Sequence, residues 1–154
     1  MKKNLKSKIE TMSKEQLVEI IEQMCNVAET EKLLKLMLSP SKADIDRALR
    51  KFSAMCDFFV CNSCSSRGQK AMYNAAEPLC AAYKYADEKT RAYIIYGMHE
   101  AMEENDLLDV DGGDDYYSII GDLLGNLEDI LKRSPALFSS EEFKLYSSIV
   151  ELDD

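Results

Sequence analysis

The sequence predicts an all-α fold, and three observations support that prediction. Leu, Met, Ala, Glu and Lys are abundant, and all five are good helix formers. Six Gly and three Pro are too few turn-forming residues for an all-β chain of this length. Apolar residues recur at spacings of three and four through most of the sequence, which is the period of an amphipathic helix. We therefore expect a single-domain bundle of about six to seven helices over residues 1–154.

The chain before Pro40 predicts short helices. Residues 1–12 form a basic, amphipathic lead-in. Ser13 and Gln16 have the spacing of a capping box, in which the first side chain caps a helix and the second bonds back to it. Thr30 is placed to cap a third helix. Pro40 ends that helix, because proline disfavours helical backbone at the residue before it.

Two longer helices are expected after Ser41, whose hydroxyl suits an N-cap. The stretch Asn62–Gly68 is rich in Ser and contains a Gly, so it predicts a loop. The second helix is expected over Gln69–Tyr85, where Pro78 predicts either a kink or a later start at Ala76. The first helix has the cleanest apolar stripe in the chain, formed by Ile45, Ala48, Leu49, Phe52, Met55, Cys56 and Phe59.

A central helix follows, and Asp87 is expected to cap it. The segment Arg91–His99 is apolar on nearly every face, and such a helix has to be surrounded by other helices. The segments 41–85 and 87–133 have similar lengths, so two stacked helical hairpins are one arrangement that the sequence allows. The returning helix of the second hairpin has one apolar stripe, formed by Tyr116, Ile120, Leu123, Leu127 and Leu131.

Small residues and a capping box mark the later helices. Small pairs at residues 97 and 101 and at residues 121 and 125 lie one turn apart, a spacing that allows close helix contact. Ser139 with Glu142 is a second capping box, and residues 151–154 are an acidic tail. The last helix is expected to bury Phe143, Tyr146, Ile149 and Val150.

The negative charge is confined to one part of the chain. Residues 92–131 contain 11 Asp and Glu and no Lys or Arg, whereas the net charge of the whole chain is -9. Such a field repels nucleic acid and attracts basic surfaces. An ordinary solvated face that keeps the protein soluble is the alternative interpretation. The residues expected to contact a partner are Glu100, Glu103, Glu104, Asp106, Asp109, Asp111, Asp114, Asp115, Tyr116 and Tyr117.

These features favour a non-catalytic protein-binding module that presents an acidic helical hairpin to a basic partner surface. One specific form is a nucleic-acid mimic, whose carboxylates occupy the groove of a nucleic-acid-binding partner, as inhibitors of phage or bacterial defence nucleases do. The chain has no P-loop, dinucleotide fingerprint, zinc-protease motif or nucleophile elbow. We therefore expect no enzyme activity, no cofactor and no direct binding of nucleic acid.

The cysteines support an alternative function from a different class. Cys56, Cys61, Cys64 and Cys80 could bind zinc or an iron–sulfur cluster through four thiolates. Only one C-x-x-C is present, however, and Cys56 lies on an apolar stripe, where a free thiol is commonly a small core residue. His99 is the only histidine and stands in no catalytic motif, so a structural role is expected. The stretch Asp109–Asp115 does not fit the register of an EF-hand loop.

The apolar content and the number of cysteines indicate where in the cell the protein is found. No stretch reaches the 18 apolar residues of a membrane span, and no apolar segment follows the basic N-terminus. Five Cys is an odd number, which does not suit a secreted disulfide framework. We therefore expect a cytoplasmic protein with reduced thiols and no membrane association.

Three parts of the chain carry a resemblance to a known family. Met12–Leu17, Leu36–Pro40 and the Tyr-rich central hairpin resemble a family of small, all-helical bacterial proteins catalogued as a domain of unknown function. The resemblance covers about half of the chain, and its motifs are helix caps. It implies a helical protein of bacterial or phage origin and implies no activity.

Overall fold

The computed structural model describes residues 40–62, 65–107 and 114–150, together with single residues before Pro40. For residues 114–120 it describes the backbone only. Contacts divide the chain into two units, residues 1–35 and residues 36–154. The first unit is represented only by single residues, so the predicted capping box at Ser13 lies largely outside the described residues. The architecture below is that of the second unit, and the single-domain prediction stays a prediction.

The described part of this unit is entirely helical. It contains five α-helices and one 3-10 helix, and no strand occurs in those ranges, which confirms the predicted all-α class. The larger total of six to seven helices and the stacking of two hairpins stay predictions. No helix in the described ranges has the length and apolar character needed to cross a membrane. The helices are α1 (Lys42–Cys61), α2 (Ser66–Tyr85), α3 (Glu88–Glu103), α4 (Asp114–Arg133), the 3-10 helix Pro135–Leu137 and α5 (Ser140–Ser147).

Three predicted caps are confirmed. The Ser41 hydroxyl accepts a hydrogen bond of 3.2 Å from the backbone N–H three residues on, and α1 begins there. The Asp87 carboxylate does the same for α3 at 2.8 Å. At α5, the Ser139 hydroxyl accepts from the Glu142 N–H at 3.2 Å, while the Glu142 carboxylate accepts from the Ser139 N–H at 2.8 Å. These bonds satisfy backbone donors that a helix N-terminus leaves without partners.

The predicted loop Asn62–Gly68 is too long. Ser65 caps α2 by accepting a 3.3 Å bond from the Gly68 N–H, so helix begins at Ser66. A Cβ at Gly68 would lie 3.0 Å from the Cα of Phe59 on α1. This glycine therefore lies inside a helix where α1 and α2 approach closely, and not in a loop.

The prediction of a later start for α2 at Ala76 is also wrong. The helix runs without interruption over Ser66–Tyr85, with Pro78 inside it. Its buried face is formed by Gly68, Met72, Ala75, Ala76, Leu79 and Ala82, which packs against α1 and, to a smaller extent, α3.

Helix α3 contributes to two apolar clusters at once. Ile94 and Met98 belong to a cluster built with α1 and α2, in which Phe52, Cys56 and Leu79 are buried. The neighbouring residues Ala92 and Ile95 belong to a second cluster, built with Leu127, Ile130 and Leu131 of α4, Phe138 and Tyr146. No residue from Arg91 to His99 is exposed, so the predicted apolar central helix is confirmed. It has no polar face because it has a core on each side.

Close helix contact occurs at only one of the two predicted small pairs. A Cβ at Gly97 would lie 2.5 Å from Cδ1 of Leu49, so α1 crosses α3 at this point. Among the described residues, nothing lies within 4 Å of a Cβ at Gly121 or Gly125, and both glycines are exposed. The spacing of the α4 glycines allows close helix contact, but the described residues make none there.

Candidate protein-binding surface

The acidic end of α3 is the described part of the predicted binding surface. Glu100, Glu103, Glu104 and Asp106 are all exposed. The helix closes with a 2.9 Å bond from the Glu104 N–H to the Glu100 carbonyl. Asp106 follows with φ of 55°, a left-handed conformation that Asp tolerates better than most residues and that commonly ends a helix.

A side-chain amide attaches this end of α3 to α1. Asn105 Nδ2 donates to the carbonyl of Ala101 at 2.6 Å and to the hydroxyl of Ser53 on α1 at 3.2 Å. Leu107 is 1% exposed and anchors the chain immediately beyond. The four carboxylates therefore project from backbone that is fixed on both sides.

The structure describes the other six predicted contact residues only in part or not at all. Asp109 and Asp111 lie outside the described residues. Asp114, Asp115, Tyr116 and Tyr117 form the start of α4, and their side chains also lie outside. The structure thus brings four of the ten predicted residues together on one exposed end, and the membership of the other six stays a prediction.

The charges at this end are not balanced by cations. In the described ranges, neither Lys nor Arg forms an ion pair with Glu100, Glu103, Glu104 or Asp106. Within those ranges, His99 Nδ1 lies 3.8 Å from Glu103 Oε2. Elsewhere in the described part of the chain, five carboxylates are paired with Lys or Arg, namely Asp44, Asp46, Glu88, Glu128 and Glu142.

Tyr96 reports the resulting field. Its hydroxyl donates a 3.0 Å hydrogen bond to Glu100 Oε1. Burial, that hydrogen bond and the charges of Glu100, Glu103 and Glu104 together raise the pKa of Tyr96 to about 12. Burial is the largest of these causes, and the three nearby carboxylates add to it because each of them disfavours the phenolate.

A groove of about 220 Å³ opens between α1 and α3 beside this patch. We call it the glutamate groove. Leu49 and Arg50 line its α1 side, and Tyr96, Glu100 and Glu104 line its α3 side. The α3 residues share one stripe of the helix because they are spaced by four. The groove exists because Gly97 has no side chain, which lets α1 approach α3 closely.

A second cavity of about 300 Å³ lies at the opposite end of α3, between α1, α3 and α5. Lys42 Nζ donates to the Tyr93 hydroxyl at 2.9 Å, and that hydroxyl donates to Asp46. Lys89 Nζ lies 3.0 Å from Glu142 Oε1. The two lysines of this cavity, Lys42 and Lys89, are thus each paired with a carboxylate, Asp46 and Glu142.

The titration of the Lys42 network follows from those bonds. The hydrogen bond from Tyr93 lowers the pKa of Asp46. The hydrogen bond to Tyr93 and the attraction of Asp46 raise the pKa of Lys42, so this amine is held as a cation and is a poor nucleophile. Sequence reasoning missed this network, since Tyr93 is 51 residues from Lys42. Only the spacing of Lys42 and Asp46, one helical turn apart, was visible in the sequence.

The predicted thiolate site is only partly described. Cys56 is 0% exposed, and burial raises the pKa of its thiol to about 12. Cys61 is exposed and donates to Asp57 Oδ1 at 3.3 Å, and the Asp57 carboxylate raises the pKa of that thiol. Cys80 is exposed as well. The described residues include no group of three or more His, Cys, Asp and Glu arranged to hold a metal ion. Cys64 lies outside them, so the four-cysteine site stays a prediction.

His99 lies within the bundle, as a structural histidine does. Its side chain is 13% exposed, and Nδ1 has no hydrogen-bond partner among the described residues.

Comparisons with protein-family models, with curated proteins and with solved structures each find no match to this chain. The resemblance to the bacterial helical family therefore stays a prediction.

Proposed function

We propose that this protein acts by binding a protein with a basic surface, using the acidic end of α3 and the residues that follow it to Tyr117. The observation that carries the proposal is the absence of any Lys or Arg ion pair at Glu100, Glu103, Glu104 and Asp106 within the described ranges. A folded protein that only needed solubility would gain the same benefit from charges spread over its surface. Concentrating unbalanced carboxylates on one end instead produces a directional field.

The support for binding rather than catalysis comes from the chemistry of the patch. Exposed carboxylates that no Lys or Arg pairs with in the described ranges attract cations and speed the encounter with basic surfaces. The attachment of α3 to α1 through Asn105 keeps the carboxylates in place before a partner arrives. Preorganisation of this kind reduces the entropy lost when the complex forms.

A specific form of the proposal is nucleic-acid mimicry. Carboxylates at a helix end have the same sign of charge as phosphates and could occupy a cationic groove that otherwise takes them. This form expects the partner to bind nucleic acid, and it expects DNA or RNA to compete with the protein for that partner.

The test is capture of a partner from the native host at low and high salt, followed by identification of the captured protein. A patch variant replaces Glu100, Glu103 and Glu104 with Gln and Asp106 with Asn. A control variant carries the same change in charge at four exposed carboxylates elsewhere: Glu15→Gln, Asp57→Asn, Glu77→Gln and Glu141→Gln.

We expect wild type and the control variant to hold the same partner at low salt and to release it at high salt, since screening weakens exposed charge interactions. The patch variant should not hold it. Capture of that partner by the patch variant at wild-type levels would refute the proposal. Loss of capture by both variants would show that total charge, rather than this patch, is responsible.

A further inference from the structure

We infer that the glutamate groove receives an arginine side chain of the partner. This inference rests on the proposed binding function and names the group that the acidic end recognises. It starts from a cavity rather than from charge alone: the groove has aromatic and apolar walls as well as two carboxylates on the same helix stripe.

The two carboxylates offer acceptors that the protein itself leaves largely unused. Glu100 accepts one hydrogen bond, from Tyr96, which leaves its second oxygen available. Glu104 forms no ion pair with Lys or Arg in the described ranges and lines the same groove one turn further on. A guanidinium group presents five N–H donors in a planar fork, which suits one or two carboxylates better than an ammonium does.

The tyrosines favour the same ligand. Guanidinium groups stack on aromatic rings, and this chain already contains such a pair, with Arg91 Cζ 5.4 Å from the centre of the Tyr83 ring. In the groove, Tyr93 already has Lys42 Nζ 4.6 Å from its ring centre. The ring of Tyr96 lies 5.3 Å from the ring of Tyr146 but has no cation over it in the described part of the chain, so it is the ring on which an incoming arginine stacks.

Arg50, on the α1 side of the groove, provides a second test of arginine binding. It is exposed, lines the groove and has no ion-pair partner in the described ranges. Asp46 lies one helical turn before Arg50 on α1, and the charge of Arg50 contributes to lowering the pKa of Asp46. An arginine entering the groove meets like charge at Arg50, and removal of that charge should therefore strengthen binding.

The experiment uses two labelled probes, hexa-arginine and hexa-lysine peptides with blocked ends, and measures their affinity for the full chain by fluorescence anisotropy at low salt. We expect hexa-arginine to bind more tightly. Glu104→Gln should weaken hexa-arginine binding by about five- to tenfold, a value reduced from that of a buried charged hydrogen bond because Glu104 is exposed. Glu103→Gln removes the same charge outside the groove and should weaken binding by less than about twofold.

The arginines on α1 form a second matched pair. Arg50→Gln should tighten hexa-arginine binding by about two- to fivefold. Arg47→Gln makes the same change in net charge at a side chain that is 72% exposed and does not line the groove, and it should have little effect. Both substitutions are at exposed positions, so they are expected to leave the fold intact.

The outcomes separate this inference from the proposed function. Equal losses at Glu103 and Glu104, together with equal affinity for the two peptides, would overturn the arginine groove and leave the acidic binding surface standing. No binding of either peptide, or no loss in either variant, would overturn both. A preference for hexa-arginine that survives Tyr96→Leu in a variant with a wild-type circular dichroism spectrum would overturn the assignment of Tyr96 as the stacking ring.

Discussion

Replacing Gly97 with Ala should destabilise the protein relative to an equivalent change at an open position. A Cβ at residue 97 would lie 2.5 Å, 3.0 Å and 3.3 Å from Cδ1, Cδ2 and Cγ of Leu49. Carbon atoms pack best at about 3.5–4.0 Å, so the whole outer part of the Leu49 side chain has to move by about 1 Å. Overpacking of this kind costs about 1–3 kcal/mol.

The helix propensity of the two residues acts in the opposite direction and favours alanine at residue 97. Alanine is about 1 kcal/mol better than glycine inside a helix, so Gly97→Ala should range from neutral to about 2 kcal/mol destabilising. Gly125→Ala is the matched control, because it gains the same helix term with nothing within 4 Å of its Cβ. The two variants should therefore differ in free energy of unfolding by about 1–3 kcal/mol, with Gly97→Ala the less stable.

Urea unfolding followed by circular dichroism measures that difference, and the melting temperatures should separate by at least about 2 °C for a chain of this size. Repeating both measurements with Leu49→Ala completes a double-mutant cycle, in which the penalty at residue 97 should largely disappear. If Gly97→Ala stabilises the protein as much as Gly125→Ala does, or shows no coupling to Leu49, then α1 does not cross α3 at this glycine.

Three other results are expected. Asp57→Asn should lower the pKa of Cys61 and speed its alkylation near pH 8, measured by site-resolved mass spectrometry. Cys56 should stay unreacted until the protein unfolds. An unchanged alkylation rate at Cys61 would contradict the hydrogen bond between Cys61 and Asp57. Folding lowers the pKa of Asp46, so the ionised carboxylate stabilises the protein above its unfolded pKa of about 4, and this stabilisation is lost as pH falls through the lower folded pKa. In urea titrations, the difference in free energy of unfolding between wild type and Asp46→Asn should therefore shrink below about pH 4. Protein purified without a histidine tag should contain no stoichiometric zinc or iron by elemental analysis, whereas one equivalent would favour the four-cysteine alternative.

Features whose cause lies within one helical turn could be predicted from the sequence. The caps at Ser41, Asp87 and Ser139 were found because cap and capped N–H are three residues apart. The apolar central helix was found because burial on all sides leaves a run without polar residues. Exposure of the carboxylates at the end of α3 followed in the same way, since a charge run beyond an apolar run has to meet water.

Features whose cause lies in another helix could not. Gly68 resembles a loop glycine until Phe59 is seen beside it, and Gly97 and Gly125 look alike in sequence although only one of them meets a neighbour. The glutamate groove has the same origin. Its α1 wall and its α3 wall are more than 40 residues apart, and no local pattern shows that these helices cross.

The position of α3 between two apolar clusters has a mechanical consequence. Adjacent residues such as Ile94 and Ile95 face opposite clusters, so α3 cannot rotate or slide without disturbing packing on both sides. The carboxylates at the end of α3 are therefore attached to a helix that is packed on two opposite sides. Under the proposed function, a partner would therefore meet carboxylates on a helix that is held in place by packing on two sides.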